Sequence, residues 1–460
     1  MKPNLTDTIA AIATPPGVGG ISVLRISGER AFEIIEEIFS QDESHFKSIE
    51  IDTLKSHTVH FGYLFDGAAL IDEVVITIFK NPRSYTGEDI IEISSHGGTF
   101  VVSKILDLLL KNGARLAEPG EFTKRAFLNG RMDLSQAEAV ADLIHAKTES
   151  AHSSSIKQLE GSLSRYVAEV KEGILNAASL VELELDFAEE DLEFVRKDEL
   201  KNKILTIISD LEKIISSYIT GRVIREGAKL VIAGNPNAGK SSLFNHLLRT
   251  NRAIVSEIAG TTRDYIEENL IINGTLFNLT DTAGLRTSED SIETEGIKRS
   301  FERIEEADVV LFMVDSSEEP EEIKKNIQYF NDRFDKDKSL LVFSKIDLNP
   351  EPDTLLGLKI SILKDNTIEE LKNEMVKKVF SGKGNISSGE IILTNIRHKT
   401  CLENTVNDLR NSVTTIDDKM SGEYIAVDLR NALSHLGEIT GEVTNEDILN
   451  NIFQKFCIGK

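Results

Sequence analysis

Apolar residues alternate with polar ones from Ile21 to Ile26, Glu73 to Phe79 and Ile90 to Ser94, which predicts strands. Helical spacing from Ala31 to Phe39 and from Phe100 to Asn112 predicts helices, the second closed by Gly113 as a C-cap. Pro119-Gly120 breaks this mixed pattern. Helical spacing follows: Glu121 to Leu128, an Asn129-Gly130 turn, then Ser135-Gln136-Ala137-Glu138, read as a capping box that opens a long amphipathic helix. Between Glu182 and Glu193 acidic residues interleave with Leu, Val and Phe, the pattern of a packed helix with a solvated face.

Around Gly221 to Gly227 the helical pattern stops. Apolar runs at Lys229 to Ala233, Leu276 to Asp281, Val309 to Asp315, Leu340 to Ser344 and Leu358 to Ile362 then alternate with helical stretches, which predicts a mainly parallel sheet covered by helices. After about Gly384 helical spacing returns, through Ala426 to Leu436 and Asn445 to Phe456. The expected fold is multidomain, α/β and all-α. An α/β module with a mainly parallel sheet is inserted into a helical domain, and an α+β domain precedes both.

A chain of 460 residues exceeds one core and predicts about three domains. The net charge of -24 repels nucleic acid at long range, so any RNA is expected to be held mainly by a partner. No stretch reaches the roughly 18 apolar residues of a membrane span, and the opening residues place Asp7 ahead of only a short apolar run. A cytoplasmic protein is expected. Cys401 and Cys457 lack metal-site or C-x-x-C spacing and read as reduced thiols.

Gly234-Asn235-Pro236-Asn237-Ala238-Gly239-Lys240-Ser241 fits G-x-x-x-x-G-K-[ST] between an apolar strand and a helix start. The glycines let backbone N–H groups turn toward phosphate oxygens, and the helix adds its positive end. Lys240 is the residue to neutralise the β/γ-phosphates, and Ser241 the one to hold Mg2+. Asp281-Thr282-Ala283-Gly284 closes an apolar strand, where an aspartate reaches the magnesium shell and a glycine N–H the γ-phosphate. Within Gly260-Thr261-Thr262-Arg263-Asp264, Thr262 is the candidate for a second magnesium contact.

This order and spacing fit a GTPase. In Ser344-Lys345-Ile346-Asp347 the aspartate can accept from guanine N1–H and the 2-amino group while the Lys345 stem covers the base. GTPases usually carry Asn at Ser344, and the later S-A-K element is reduced to Ser361-Ile362-Leu363, so weaker base affinity is expected, with Asp347 setting selectivity. Leu285 stands where many small GTPases place a water-orienting glutamine. Another group must supply that role and positive charge at the phosphates.

Four further blocks make the chain resemble the tRNA-modification GTPase MnmE (TrmE) family over essentially its full length. They are Asp7-Thr8-Ile9 with Ala13 to Gly17 and Leu24 to Gly28; Tyr85 to Asp89 with His96-Gly97-Gly98; Pro119 to Phe122 with Arg125 to Asn129; and Phe456 to Lys460. The resemblance implies a folate-binding and dimerising domain at 1–120, helical segments at 121–220 and 384–460, and a Ras-like G domain at 221–383. It implies a homodimer whose G domains are activated by K+, with Asn237, Ser256, Ile258 and Thr261 as K+ ligands and Ser256 and Ile258 contributing backbone carbonyls. Ala238, Gly239, Ser242, Glu257, Ala259 and Gly260 complete the expected nucleotide surroundings. Glu293 takes the water-orienting role that Leu285 lacks.

For a tetrahydrofolate derivative, in the 5-formyl or 5,10-methylene form, the implied residues are Arg25, Glu92, Arg131 and Lys460; family members often carry lysine at Arg131. Cys457 reads by itself as a thiol on a frayed tail, whereas the resemblance places it in the folate region, where a neighbouring Lys or Arg would make it a nucleophile. The implied activity is potassium-activated GTP hydrolysis. With the flavoprotein MnmG, in a heterotetramer, it serves to add an aminomethyl-type group at C5 of the tRNA wobble uridine. The rival expectation is a GTP-binding switch or ribosome assembly factor without covalent chemistry.

Overall fold

The pleat of Ile21–Ser27 buries alternate side chains, Leu24 and Ile26 among them, against helices Ala31–Glu36 and Thr99–Lys111. The computed structural model describes residues 7–186, 197–251, 267–280, 302–349, 356–381 and 391–460. The chain divides into two compact units, one of residues 1–141, 158–169 and 434–460, the other of 142–157 and 170–433.

The first unit is built on a seven-stranded sheet. Its spatial order is Phe39–Ser40, Thr58–Asp66, Ala69–Phe79, Ile90–His96, Ile21–Ser27, Ile9–Ile12 and Arg115–Leu116. Every pairing is antiparallel except that of Ile9–Ile12 with Arg115–Leu116. Ile34, Ile76, Ile93, Ile105 and Leu109 fill the core between this sheet and the two helices. Three predicted strands are found, the second lengthened to Ala69–Phe79. The predicted helix from Ala31 to Phe39 ends at Glu36, because Phe39 and Ser40 pair with Leu64 and Tyr63 as an edge strand. A short buried apolar run does not by periodicity alone distinguish the two states.

Helices Glu121–Leu128 and Glu446–Phe453 belong to this unit, with Leu134, Ala137, Leu449, Phe453 and Phe456 in one apolar cluster. The observed cap lies two residues ahead of the capping box predicted at Ser135 to Glu138. Asp133 Oδ1 accepts from the Gln136 N–H at 3.0 Å and Gln136 Oε1 accepts from the Asp133 N–H at 3.0 Å, so the reciprocal cap precedes helix Leu134–His145. Ser135 is inside that helix, where an aspartate just ahead outcompetes it as the cap.

The second unit carries a six-stranded sheet ordered Leu358–Lys359, Ser339–Ser344, Val309–Asp315, Ala228–Gly234, Thr275–Thr280 and Glu267–Ile272. All pairings are parallel except the last. Val309–Asp315 is buried at every position, as a central parallel strand covered on both faces requires. Helices Lys240–Asn251 and Asp365–Phe380 contribute to one face and Pro320–Arg333 to the other. The predicted strand Leu358 to Ile362 ends at Lys359; Ser361 turns away, its N–H donating to Thr367 Oγ1 at 3.0 Å.

Helices Lys197–Ser216 and Ile396–Asp417 run antiparallel, joined by the ion pairs Lys201–Asp417 and Glu212–Arg410. Helix Tyr218–Glu226 ends at Gly227, whose φ of +88° turns the chain into the sheet. Within that helix Gly221 has no room for a methyl group: a Cβ would lie 2.2 Å from the Leu393 carbonyl oxygen. The acidic run from Glu182 is described only to Asp186, the end of helix Ser162–Asp186. No described helix is long and apolar enough to cross a membrane.

Candidate functional site

Three parallel strands end side by side at Gly234, Asp315 and Ser344, and the loops beyond them carry the nucleotide motifs. Such C-terminal strand edges are where open α/β sheets receive ligands. From Gly234 the chain passes through Asn235–Gly239 into helix Lys240–Asn251. Gly234 has φ +131° and an added Cβ would sit 2.2 Å from the Met313 carbonyl oxygen, so only glycine fits against the neighbouring strand. Asn237 and Gly239 are left-handed, at φ +64° and +86°. Ala238 is buried, while Asn237, Ser241 and Ser242 are exposed.

The Lys240 ammonium donates to the Gly234 and Asn235 carbonyls at 2.8 and 2.6 Å, which fixes its charge at the mouth of the loop. Ser344, 4 % exposed, donates its hydroxyl to the Ala238 carbonyl at 2.8 Å. Lys345, at φ +56°, pairs with Asp315 Oδ2 at 2.5 Å. Burial pushes the Asp315 carboxyl up, but Lys345 and Ser317 outweigh it and hold it below its usual range. Asp347 Oδ1 accepts from the Ser361 hydroxyl at 2.6 Å, and this bond lowers its pKa.

The two departures from the usual GTPase pattern thus have defined roles. Ser344 is directed at the phosphate loop, and Ser361, though its motif is shortened, orients the aspartate expected to read the base. Ser256, Glu257, Ile258, Ala259, Gly260, Thr261, Thr262, Asp281, Thr282, Ala283, Gly284, Leu285 and Glu293 lie outside the described residues. Of the expected metal ligands, Asn237 and Ser241 are described, and both are exposed in the segment that carries Lys240.

A second constellation lies in the first unit. Arg25 and Glu92 face each other across paired strands, with Arg25 Nη2 2.6 Å from Glu92 Oε1. The guanidinium stands 5.2 Å from the Tyr85 ring centre and 5.5 Å from that of Phe122. Phe122 is buried, so the half-buried Tyr85 ring and the Arg25–Glu92 pair are the members of this group within reach of a ligand. Arg131 donates through Nε to the Ser84 carbonyl at 2.9 Å.

The terminal residues are seated rather than frayed. Phe456 is buried, and a Cβ on Gly459, at φ +95°, would lie 2.3 Å from the Ile12 carbonyl oxygen. Cys457 is exposed and Cys401 buried, neither in a disulfide, and Lys460 is half-buried. Sequence reasoning did not single out Arg125, whose side chain is 0 % exposed. Its guanidinium meets Asp7 at 2.7 Å, Glu121 at 3.0 Å and Glu88 at 3.2 Å. Three of the sequence blocks therefore converge on one ion network around the buried Arg125.

Two family models match: "GTP-binding protein TrmE N-terminus" over residues 8–131 and "MnmE helical domain" over residues 134–457. The tRNA modification GTPase MnmE of Chlorobium phaeobacteroides is 46% identical over 99% of this chain and 97% of its own length. The protein of the same name from Alkaliphilus oremlandii is 43% identical over 99% of this chain and 100% of its length. The chain belongs to the MnmE family. The six-stranded sheet falls inside the span matched by the MnmE helical model, so this P-loop GTPase module is an insertion in a helical domain, as the sequence pattern predicted. The MnmE-family N-terminal match ends at Arg131, just ahead of the Asp133 cap.

Proposed function

We propose that this chain hydrolyses GTP in the service of tRNA modification. The observation that carries the reading is the Ser344–Ala238 hydrogen bond, which joins the base-reading loop to the phosphate loop at one sheet edge. Family membership supports it, since its relatives are named tRNA modification GTPases. Asp347 reads guanine, Lys345 covers the base, Lys240 holds the phosphates, and Ser241 and Thr262 hold Mg2+. Backbone N–H groups of Asn237 to Ser242 cradle the phosphates.

In the finer reading, Asn237, Ser256, Ile258 and Thr261 hold K+, which adds positive charge where other GTPases use an arginine. Glu293 orients the attacking water. Glu257, Ala259, Gly260, Thr282, Ala283 and Gly284 line the nucleotide, with Asp281 in the magnesium shell. Arg25, Glu92, Arg131 and Lys460 receive a tetrahydrofolate derivative, and Cys457 serves there as a nucleophile. The domain limits are 1–120, 121–220, 221–383 and 384–460. The chain works in the cytoplasm as a homodimer with MnmG, which presents the tRNA, and installs the aminomethyl-type group at C5 of the wobble uridine.

GTP hydrolysis in K+ compared with Na+, with Asn237→Ala alongside, tests the cation assignment. Specific K+ stimulation that Asn237→Ala abolishes is expected; equal rates in the two salts remove it. Binding of 5-formyl-tetrahydrofolate to the full chain tests the folate site. Its absence, with wobble uridines modified normally in a strain lacking the gene, returns the chain to the switch class.

A further inference from the structure

We infer that Asn326, on helix Pro320–Arg333 and outside every nucleotide motif, is a positioning residue that holds the phosphate loop in its ligand-receiving shape through Asn235. The inference rests on the reading of Gly234 to Ser241 as the GTP phosphate site. Asn326 is 8 % exposed, and its Oδ1 accepts from Asn235 Nδ2 at 2.9 Å. Its own Nδ2 donates to Glu318 Oε2 at 3.2 Å. A carboxylate only accepts, so Glu318 fixes which end of the Asn326 amide faces it and leaves the oxygen for Asn235.

The geometry explains why a position so far along the chain matters to the loop. Gly234 is locked by the Met313 carbonyl and Ala238 by Ser344, which leaves Asn235 between two fixed points. Asn235 is where Lys240 gains its shorter carbonyl contact, at 2.6 Å. Releasing the Asn235 side chain therefore frees the segment that sets the Lys240 amine. The half-buried Asn235 amide, once its partner is lost, gains by turning to water, so the freed loop relaxes toward solvent rather than staying in place.

Asn326→Leu removes both contacts. It is expected to weaken GDP and GTP binding equally, by about five- to tenfold, since the loop meets phosphates that both nucleotides share. The KM for GTP rises in step while kcat changes by less than about threefold, a split that a general loss of stability does not produce. Asn326→Asp combined with Glu318→Gln reverses donor and acceptor between the two positions, keeps an oxygen facing Asn235 and conserves charge. It is expected to restore affinity to within about twofold of the parent.

The measurement is titration of the full chain with fluorescent GDP and GTP analogues, alongside steady-state GTP hydrolysis and thermal unfolding, for both variants, Glu318→Gln alone and Lys240→Ala. Parental affinity in a folded Asn326→Leu protein overturns the inference. So does failure of the folded swapped pair to bind better than Asn326→Leu, or than Glu318→Gln alone where Asn326→Leu does not fold. Undiminished binding by Lys240→Ala instead removes the phosphate-site reading itself.

Discussion

The hydroxyl of Ser344 donates to the carbonyl of Ala238 at 2.8 Å, so the loop expected to read the base and the loop expected to hold phosphate share a buried bond. Removing a donor from a buried carbonyl costs about 1 to 2 kcal/mol. Ser344→Ala is therefore expected to weaken GDP binding by roughly five- to thirtyfold, measured by fluorescent nucleotide titration. Unchanged affinity would show that the bond does not couple the loops.

Asp347 is oriented by Ser361, and its second oxygen is free of that bond. Asp347→Asn exchanges one acceptor for a donor, which opposes the guanine N1–H and 2-amino group. GTP affinity is expected to fall by about 100-fold or more, with xanthosine triphosphate, which presents an acceptor in place of the amino group, gaining. Ser361→Ala should cost far less, about fivefold, because the carboxylate itself remains. Competition among GTP, ATP and XTP reads all three outcomes.

Acid should loosen the first unit. Burial raises the Asp7 and Glu121 carboxyls, yet Arg115 and Arg125 more than compensate and hold both below their usual range. Their stabilising contribution is complete above the unfolded carboxylate pKa and is lost as pH falls through the depressed folded values. Thermal unfolding followed downward from about pH 6 should show a falling midpoint below about pH 4.5. Arg125→Met, which takes the buried cation from Glu88 while Arg115 still pairs with Asp7 and Glu121, should weaken that pH dependence and lower neutral stability by about 3 kcal/mol.

Gly459 occupies a left-handed conformation against the Ile12 carbonyl. Gly459→Ala is expected to unseat the terminal residues and weaken 5-formyl-tetrahydrofolate binding more than about tenfold, while GDP affinity stays within about twofold. Calorimetry with each ligand separates the two. Equal loss of both would place the effect in overall folding instead.

What the sequence revealed was what acts locally. The phosphate loop is legible because a strand, a glycine turn and a helix start lie within a few residues, and the parallel sheet because its apolar runs recur. The Asp133 cap was missed by two positions because Ser135 offers the same signature nearby. Phe39 reads as helix until its partner Leu64 is known. Ser344 looked like a weakened base contact since its acceptor, Ala238, is distant in sequence, and Arg125 gave no sign that Asp7 and Glu88 surround it.

The contact of Gly221 with the Leu393 carbonyl, reinforced by the Leu393 N–H donating to Ser217 Oγ at 3.0 Å, stitches together the points where the chain departs into the six-stranded sheet and comes back. The host helices thus close on themselves almost as though nothing interrupted them. A short flexible splice across that stitch should let the nucleotide-handling module be excised while the surrounding scaffold still folds, turning one polypeptide into two separable engineering parts.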